Sequence, residues 1–259
     1  FYGLAPNLVA RPIHMALALP WIFIYGAKGR AFWVGILFVT AGALGCFYIM
    51  LNEAALSDQY GSLEGAGQLI VATILLLVVL EMARRAIGWP LPLVAILALV
   101  YGLYGELLPG EFGHPGLPVS SFIGTMTIAE GGLWGSLTGV SVSIVAVFVI
   151  MGAVLNAGEA GQGFMNLAAA AAGRLKGGAA KVSVLSSAFF GSISGSASAN
   201  VASTGAITLP AMLRLGYPKS FSAAVEAVAS SGGQIMPPLM GAGAFVMVEL
   251  TGVSYTSIL

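Results

Sequence analysis

The sequence predicts an all-α polytopic membrane protein in which transmembrane helices are joined by one re-entrant helical hairpin and one discontinuous helix. Three observations predict it. The chain is 58% hydrophobic and only 8% charged, with a mean hydropathy of +0.95, far from the roughly 25% charged usage of soluble domains. Apolar windows of the length a bilayer core requires, about 20 residues, recur along it. Residues 181–238 then set a dense run of Gly, Ser, Thr and Asn inside sequence apolar enough for a membrane. Backbone polar groups facing hydrocarbon go unsatisfied, so such chemistry survives only where it is buried in protein or lines a water- or ion-filled cavity.

The apolar windows lie near 12–27, 31–51, 67–83, 88–108 and 136–157. Charges between them alternate in sign. Lys28 and Arg30 follow the first window, Glu53, Asp58 and Glu64 the second, Arg84 and Arg85 the third, Glu106 and Glu111 the fourth, and Arg174, Lys176 and Lys181 the fifth. Basic loops are retained on the cytoplasmic side, which places the ends of the windows in a consistent order and leaves Arg11 as the exception. The organisation predicted is a four-span scaffold over 1–110, an outer interfacial loop over 111–135 and a site-bearing region over 136–259. The outer loop holds too many Gly and Pro residues for a spanning helix, and 158–177 reads as a weakly amphipathic connecting helix on the membrane surface.

Residues 182–213 carry no charge, yet Lys181 precedes them and Arg214 and Lys219 follow. A single helix of that length would run roughly 48 Å at about 1.5 Å per residue, beyond a core of about 30 Å. Two arms entering and leaving on the cytoplasmic side fit, with the turn in Gly191–Asn200, the run GSISGSASAN. The segment 220–251 is nearly continuous apolar sequence interrupted by Ser231, Gly232, Gly233 and Gln234 and then by Pro237 and Pro238. Proline cannot continue the i to i−4 ladder, so a broken helix is expected. Unwound carbonyls and half-helix ends at membrane depth hold Na⁺ and anionic substrates in secondary transporters, and the hairpin turn and the break are expected to meet.

The bland account of these small residues is close helix packing of the small-xxx-small kind, which serves for Gly42, Gly45 and Gly152. The clustered hydroxyls and amides of Ser192, Ser194, Ser196, Ser198, Asn200, Ser203 and Thr204 exceed what packing needs. A hard cation prefers oxygen ligands, so Ser194, Gly195, Ser196, Asn200, Gly232, Gly233 and Gln234 are the candidate Na⁺ ligands, and Ser192, Ser198, Ser203, Thr204 and Pro237 the candidate substrate contacts. Glu226, the carboxylate within this region, is a candidate for ion or proton coupling or for a structural pairing near the interface. Hydrolysis is set aside, because GSISG is not GxSxG and neither His14 nor His114 is placed beside Ser194. The single Cys46 excludes a disulfide framework and a CxxC site. No metal cluster other than a Na⁺ site and no organic cofactor is expected, and a formal net charge of zero gives no sign of a nucleic-acid partner.

The run from Gly173 to Tyr255, above all GSISGSASAN and EAVASSGGQIMPP, resembles the fused membrane permease of tripartite ATP-independent periplasmic (TRAP) transporters, of the type that works with TAXI-class binding proteins. The resemblance is dense over roughly 150–259, and in the first four spans it is one of pattern, to the small-subunit-like region. It implies a multi-pass transporter of the bacterial inner membrane, the first repeat of an elevator-type fold, driven by Na⁺ and fed with an organic acid, C4-dicarboxylates included, by a periplasmic binding protein. It maps the hairpin turn to Ser192–Asn200 and the broken-helix motif to Ser231–Pro238. A second, inverted repeat is part of that pattern, so the chain, starting at Phe1 and reaching Leu259, is expected to be part of a longer permease whose C-terminal portion is a partner, with membrane lipid around it. The alternatives are a tricarboxylate-type carrier and a non-transporting membrane scaffold subunit.

Overall fold

A computed structural model describes residues 5–237 and 241–258. The described residues form helices and turns and divide into two compact units, 1–139 and 140–259. Four helical stretches are long and apolar enough to cross a membrane: Arg30–Leu51, Gly65–Ile87, Pro90–Leu107 and Val119–Val154. The protein is therefore an all-α, multi-pass membrane protein.

In the first unit, α1 (Asn7–Phe23) packs on α2 (Arg30–Leu51), and a short α3 (Glu53–Asp58) leads to α4 (Gly65–Ile87) and α5 (Pro90–Tyr104). The first helix begins five residues before the predicted window, and at 17 residues it is about 25 Å long, short of a hydrocarbon core. Its apolar face meets α2 and α4 through Leu19, Phe23 and Val78, while Met15, Cys46, Ile49 and Leu75 build a second cluster. Gly42 and Gly45 let these helices approach. A Cβ on Gly42 would lie 2.7 Å from Leu19 Cδ1, and one on Gly45 would lie 2.8 Å from Leu75 Cδ2.

The third apolar window contains Glu81, which the charge pattern passed over. Arg84 and Arg85 neutralise it one helical turn on, at 2.6 and 2.9 Å, and Arg85 also donates to the Phe23 carbonyl at 3.1 Å. Arg11, the exception to the charge order, donates to the carbonyl of Trp134. The stretch 111–135 is more than an interfacial loop. It contains α6 (Val119–Thr127), and Ile128 and Trp134 are fully buried in the core of this unit. Trp134 is a large apolar ring whose indole N–H donates to the Thr127 carbonyl at 2.6 Å, so burial leaves its polar edge satisfied.

Residues 136–157 are helical as predicted, through α7 (Ser136–Val140), a π-helical turn at Ser141–Val145 and α8 (Ala146–Ala157). In the second unit α9 (Ala160–Ala172), within the connecting helix expected over 158–177, packs on α10 (Gly178–Ser194), with Met165, Ala168 and Ala172 buried. Then follow α11 (Ala197–Arg214), α12 (Lys219–Gly233), α13 (Gly241–Thr251) and α14 (Tyr255–Ile258). The stretch 182–213 is a helix-turn-helix. Gly195 makes the turn with φ 60 and ψ 9, a left-handed conformation that favours glycine, and Ser196 caps α11 by accepting from the Ala199 N–H at 3.3 Å. The segment 220–251 is interrupted: α12 stops at Gly233 and α13 starts at Gly241, with Pro237 in a turn and Pro238 outside the described residues.

Candidate functional site

The hairpin arms and α12 bury a polar seam. Along α10 it presents Ser183, Ser187 and Gly191; along α11, Asn200, Thr204 and Thr208; along α12, Glu226, Ser230 and Gly233. These spacings of three or four residues stack side chains on one helical face. Asn200 and Ser187 lie side by side, as do Thr204 and Ser187, while Thr208 and Ser183 share Glu226. The two arms therefore run antiparallel, and α12 runs parallel to α10. Glycine permits the approach at the upper end. A Cβ on Gly191 would lie 2.6 Å from Asn200 Nδ2 and 2.7 Å from the Gly233 backbone.

At the centre stands Glu226, 1% exposed. Its Oε1 accepts from Thr204 at 2.6 Å and Ser230 at 3.2 Å, and its Oε2 from Ser183 at 2.7 Å and Thr208 at 2.5 Å. A buried carboxylate is tolerated only when paired or well hydrogen-bonded, and here hydroxyls from all three helices supply the bonds. The ion pairs among the described residues belong to Glu81, so the structural pairing open for Glu226 in the sequence takes the form of hydroxyl donors. Asn200, fully buried, donates from Nδ2 to the Ser187 carbonyl at 2.8 Å and to the Ser230 carbonyl at 3.4 Å. Its side chain stitches all three helices together.

The other candidates lie apart from one another. Ser194, Gly195 and Ser196 sit at the hairpin tip, where the Ser194 Oγ is buried and has no hydrogen-bond partner. Gly232, Gly233 and Gln234 end α12; the Gly232 carbonyl accepts from the N–H groups of Gln234 and Ile235, and the Gly233 carbonyl accepts from Met236 at 3.3 Å and keeps a second lone pair. Pro237 and Ser198 are exposed, and the Ser192 Oγ is turned back onto the Phe189 carbonyl at 2.9 Å. Ser203 and Thr204 line a cavity of about 350 Å³ together with Glu159, Gln162, Met165 and Phe190. A larger groove of about 680 Å³ between α10 and α12 is lined by apolar side chains such as Val184, Val225 and Val228, together with Gly232 and Gly233.

Sequence reasoning missed Ser183, Ser187, Thr208 and Ser230. The signal was present as the i, i+4 repeats Ser183–Ser187, Asn200–Thr204–Thr208 and Glu226–Ser230, which the emphasis on the glycine-rich turn hid. The last turns of α10 and α12 also meet here, Gly191 against Gly233. The partial negative charge of each favours a cation between them, while the N-terminus of α11 beside Gly195 offers backbone N–H groups to an anion.

Residues 74–259 match the family described as "Tripartite ATP-independent periplasmic transporter, DctM component". Among curated relatives, the isethionate TRAP transporter permease protein DctMQ of Oleidesulfovibrio alaskensis is 33% identical over 175 residues, covering 60% of this chain and 28% of that protein. The C4-dicarboxylate TRAP transporter large permease protein DctM of Pseudomonas aeruginosa is 33% identical over 111 residues, 43% of this chain and 25% of that protein. The ectoine TRAP transporter large permease protein TeaC of Halomonas elongata is 30% identical over 119 residues, 46% and 28% of the respective chains. The chain thus spans about a quarter of the length of the curated relatives it matches. No solved structure matches it.

Proposed function

The chain belongs to the tripartite ATP-independent periplasmic transporter family, DctM component, a family of transporters rather than enzymes, and on that premise we propose that it serves Na⁺-coupled secondary uptake of an organic acid across the bacterial inner membrane. The substrate arrives from a periplasmic binding protein, and the run EAVASSGGQIMPP supports one of the TAXI class. The relatives' names, isethionate, C4-dicarboxylate and ectoine, share a small charged solute. A carboxylate suits the N–H groups at the start of α11.

The observation that carries this reading is the buried, unpartnered Ser194 Oγ at the hairpin tip. Buried hydroxyls are almost always hydrogen-bonded, and an oxygen left open at the C-terminal end of α10 suits a hard cation. The Na⁺ site proposed is Ser194, with carbonyl oxygens around Gly195, Gly232 and Gly233. Ser196, Asn200 and Gln234 shape it, the first as a cap and the second as the stitch between helices. The hairpin is proposed to enter the membrane from the cytoplasmic side and to move with α12 as one body in an elevator motion, because Asn200 and Glu226 bond all three helices together. The substrate contacts proposed are Ser203 and Thr204 in the cavity, with Ser192, Ser198 and Pro237 at its approach.

The test is uptake by proteoliposomes holding the permease that carries this sequence, with its binding protein and with Na⁺ and H⁺ gradients imposed separately. Uptake that needs both the binding protein and Na⁺ is expected. Uptake indifferent to Na⁺ would remove the ion assignment, and no uptake of any organic acid would favour a scaffold role.

A further inference from the structure

We propose that the Glu226 carboxylate is a proton-exchange site, loaded from the cavity at Glu159 through the Thr204 hydroxyl. The inference rests on the transport reading for its physiological use, and on the geometry of the seam for the proton binding itself.

Three observations lead there. Glu226 is buried and no fixed cation faces it from the elements packed around it. The charged residue of α10 is Lys181, that of α11 is Arg214 and that of α12 is Lys219, all exposed at helix ends. Between its bounds α9 has no charged residue, and Arg174 and Lys176 beyond it are exposed, as is Glu159 before it. A carboxylate buried without a counter-charge in a membrane protein is a candidate functional site.

The second observation is that the hydrogen bonds around it close in two ways. Each threonine hydroxyl has one hydrogen to give and two acceptors within reach. Thr208 Oγ1 lies 2.5 Å from Glu226 Oε2 and 3.0 Å from the Thr204 carbonyl. Thr204 Oγ1 lies 2.6 Å from Glu226 Oε1 and 2.8 Å from the Asn200 carbonyl, with Ser187 Oγ at 3.1 Å. When Glu226 is ionised, Ser183, Thr204, Thr208 and Ser230 all donate to it. When it carries a proton on Oε1, that O–H donates to Thr204, whose own hydrogen turns to the Asn200 carbonyl, and Thr208 can likewise turn to the Thr204 carbonyl. Both states leave every group satisfied with no heavy atom displaced, whereas a carboxylate serving packing alone needs only the first arrangement.

The third is a route. Thr204 lines the cavity that Glu159 and Gln162 also line, and it touches Glu226 Oε1 at 2.6 Å. A hydronium ion in the cavity gives its proton to Thr204 Oγ1 as the hydroxyl's own hydrogen passes to Oε1. The net change is hydronium and carboxylate to water and carboxylic acid.

Difference infrared spectroscopy on the purified permease, as pH is lowered from about 9 to about 5, tests proton binding independently of transport. The expected result is a protonated-carboxyl C=O band that E226Q abolishes and E226D retains. Thr208→Val and Thr204→Val each remove one of the alternative arrangements. They are expected to move the midpoint of that band by at least about 1 pH unit, a tenfold change in proton affinity, and they serve if E226Q does not fold. In proteoliposomes E226Q is expected to lower uptake and to flatten its pH profile while leaving the half-saturating Na⁺ concentration unchanged. Absence of a Glu226 band over this range, or midpoints indifferent to both threonine variants, would overturn the site. A band without any uptake would leave proton binding standing and remove the transport reading.

Discussion

Two helical seams in this chain solve the same packing problem with opposite chemistry. In the first unit α1, α2 and α4 close over Leu19, Phe23, Leu75 and Val78, and glycines at 42 and 45 meet flexible apolar side chains. In the second, α10, α11 and α12 close over Ser187, Asn200, Thr204, Thr208 and Glu226, and Gly191 meets the backbone of Gly233. The apolar seam has one well-packed arrangement and no polar group to reorient. The polar seam holds its helices by directional bonds, several of which have two partners available. A membrane protein gains little from replacing lipid contacts with apolar contacts, so the second kind of seam is where helix association and switching coincide.

The largest effect is expected from Leu75→Ala, which opens a cavity in the apolar seam and should cost about 3 kcal/mol by unfolding in lipid or detergent. Uptake parameters per folded molecule should stay unchanged. A shift in ion dependence from this variant would break the division between the seams. Gly191→Ala should follow at about 2 kcal/mol, because its Cβ meets the Gly233 backbone and the Asn200 amide at 2.7 and 2.6 Å, neither of which can turn aside. Its ion dependence should change along with its stability, and a variant as stable as the parent would show that the two helices are held apart more loosely than the distances say.

Ser194→Ala sharpens the comparison from the other side. Its hydroxyl makes no hydrogen bond within the protein, so stability should hold, while the Na⁺ concentration for half-maximal uptake should rise about tenfold, equivalent to about 1.4 kcal/mol. Lowered stability with unaltered Na⁺ dependence would return the residue to packing. The smallest change is expected from Gly45→Ala. Its Cβ meets the Leu75 side chain alone, Cδ2 at 2.8 Å and Cγ at 3.0 Å, with no backbone in the way, so the loss should stay below about 1 kcal/mol. A thermal unfolding midpoint lowered as far as that of Gly191→Ala would remove the contrast between side-chain and backbone contacts.

Much of the local fold around the candidate site was legible in the residues. The helix-turn-helix with its turn at Gly195 followed from the charge-free length of 182–213, and the end of α12 at Gly233 followed from the glycine pair ahead of Pro237. The core role of 111–135 was hidden, because Gly- and Pro-rich sequence gives no periodic signal although Ile128 and Trp134 are buried there. Arg11 found the Trp134 carbonyl, a contact between residues 123 positions apart that no local pattern carries.

By itself the sequence determined most of the long helical stretches, the turn at Gly195 and the stop at Gly233, and that the second half sets polar residues in an apolar chain, because periodicity, glycine, proline and charge act over a few residues. Only the tertiary structure decided which polar groups share a seam. Ser183 and Glu226 lie 43 residues apart and yet bond at 2.7 Å, and Asn200, the residue read as an ion ligand, is the stitch between three helices. Hydrogen bonds are short and directional, so whether a buried oxygen is spent inside the fold or left open for an ion depends on distances of a few tenths of an ångström that composition and spacing do not encode.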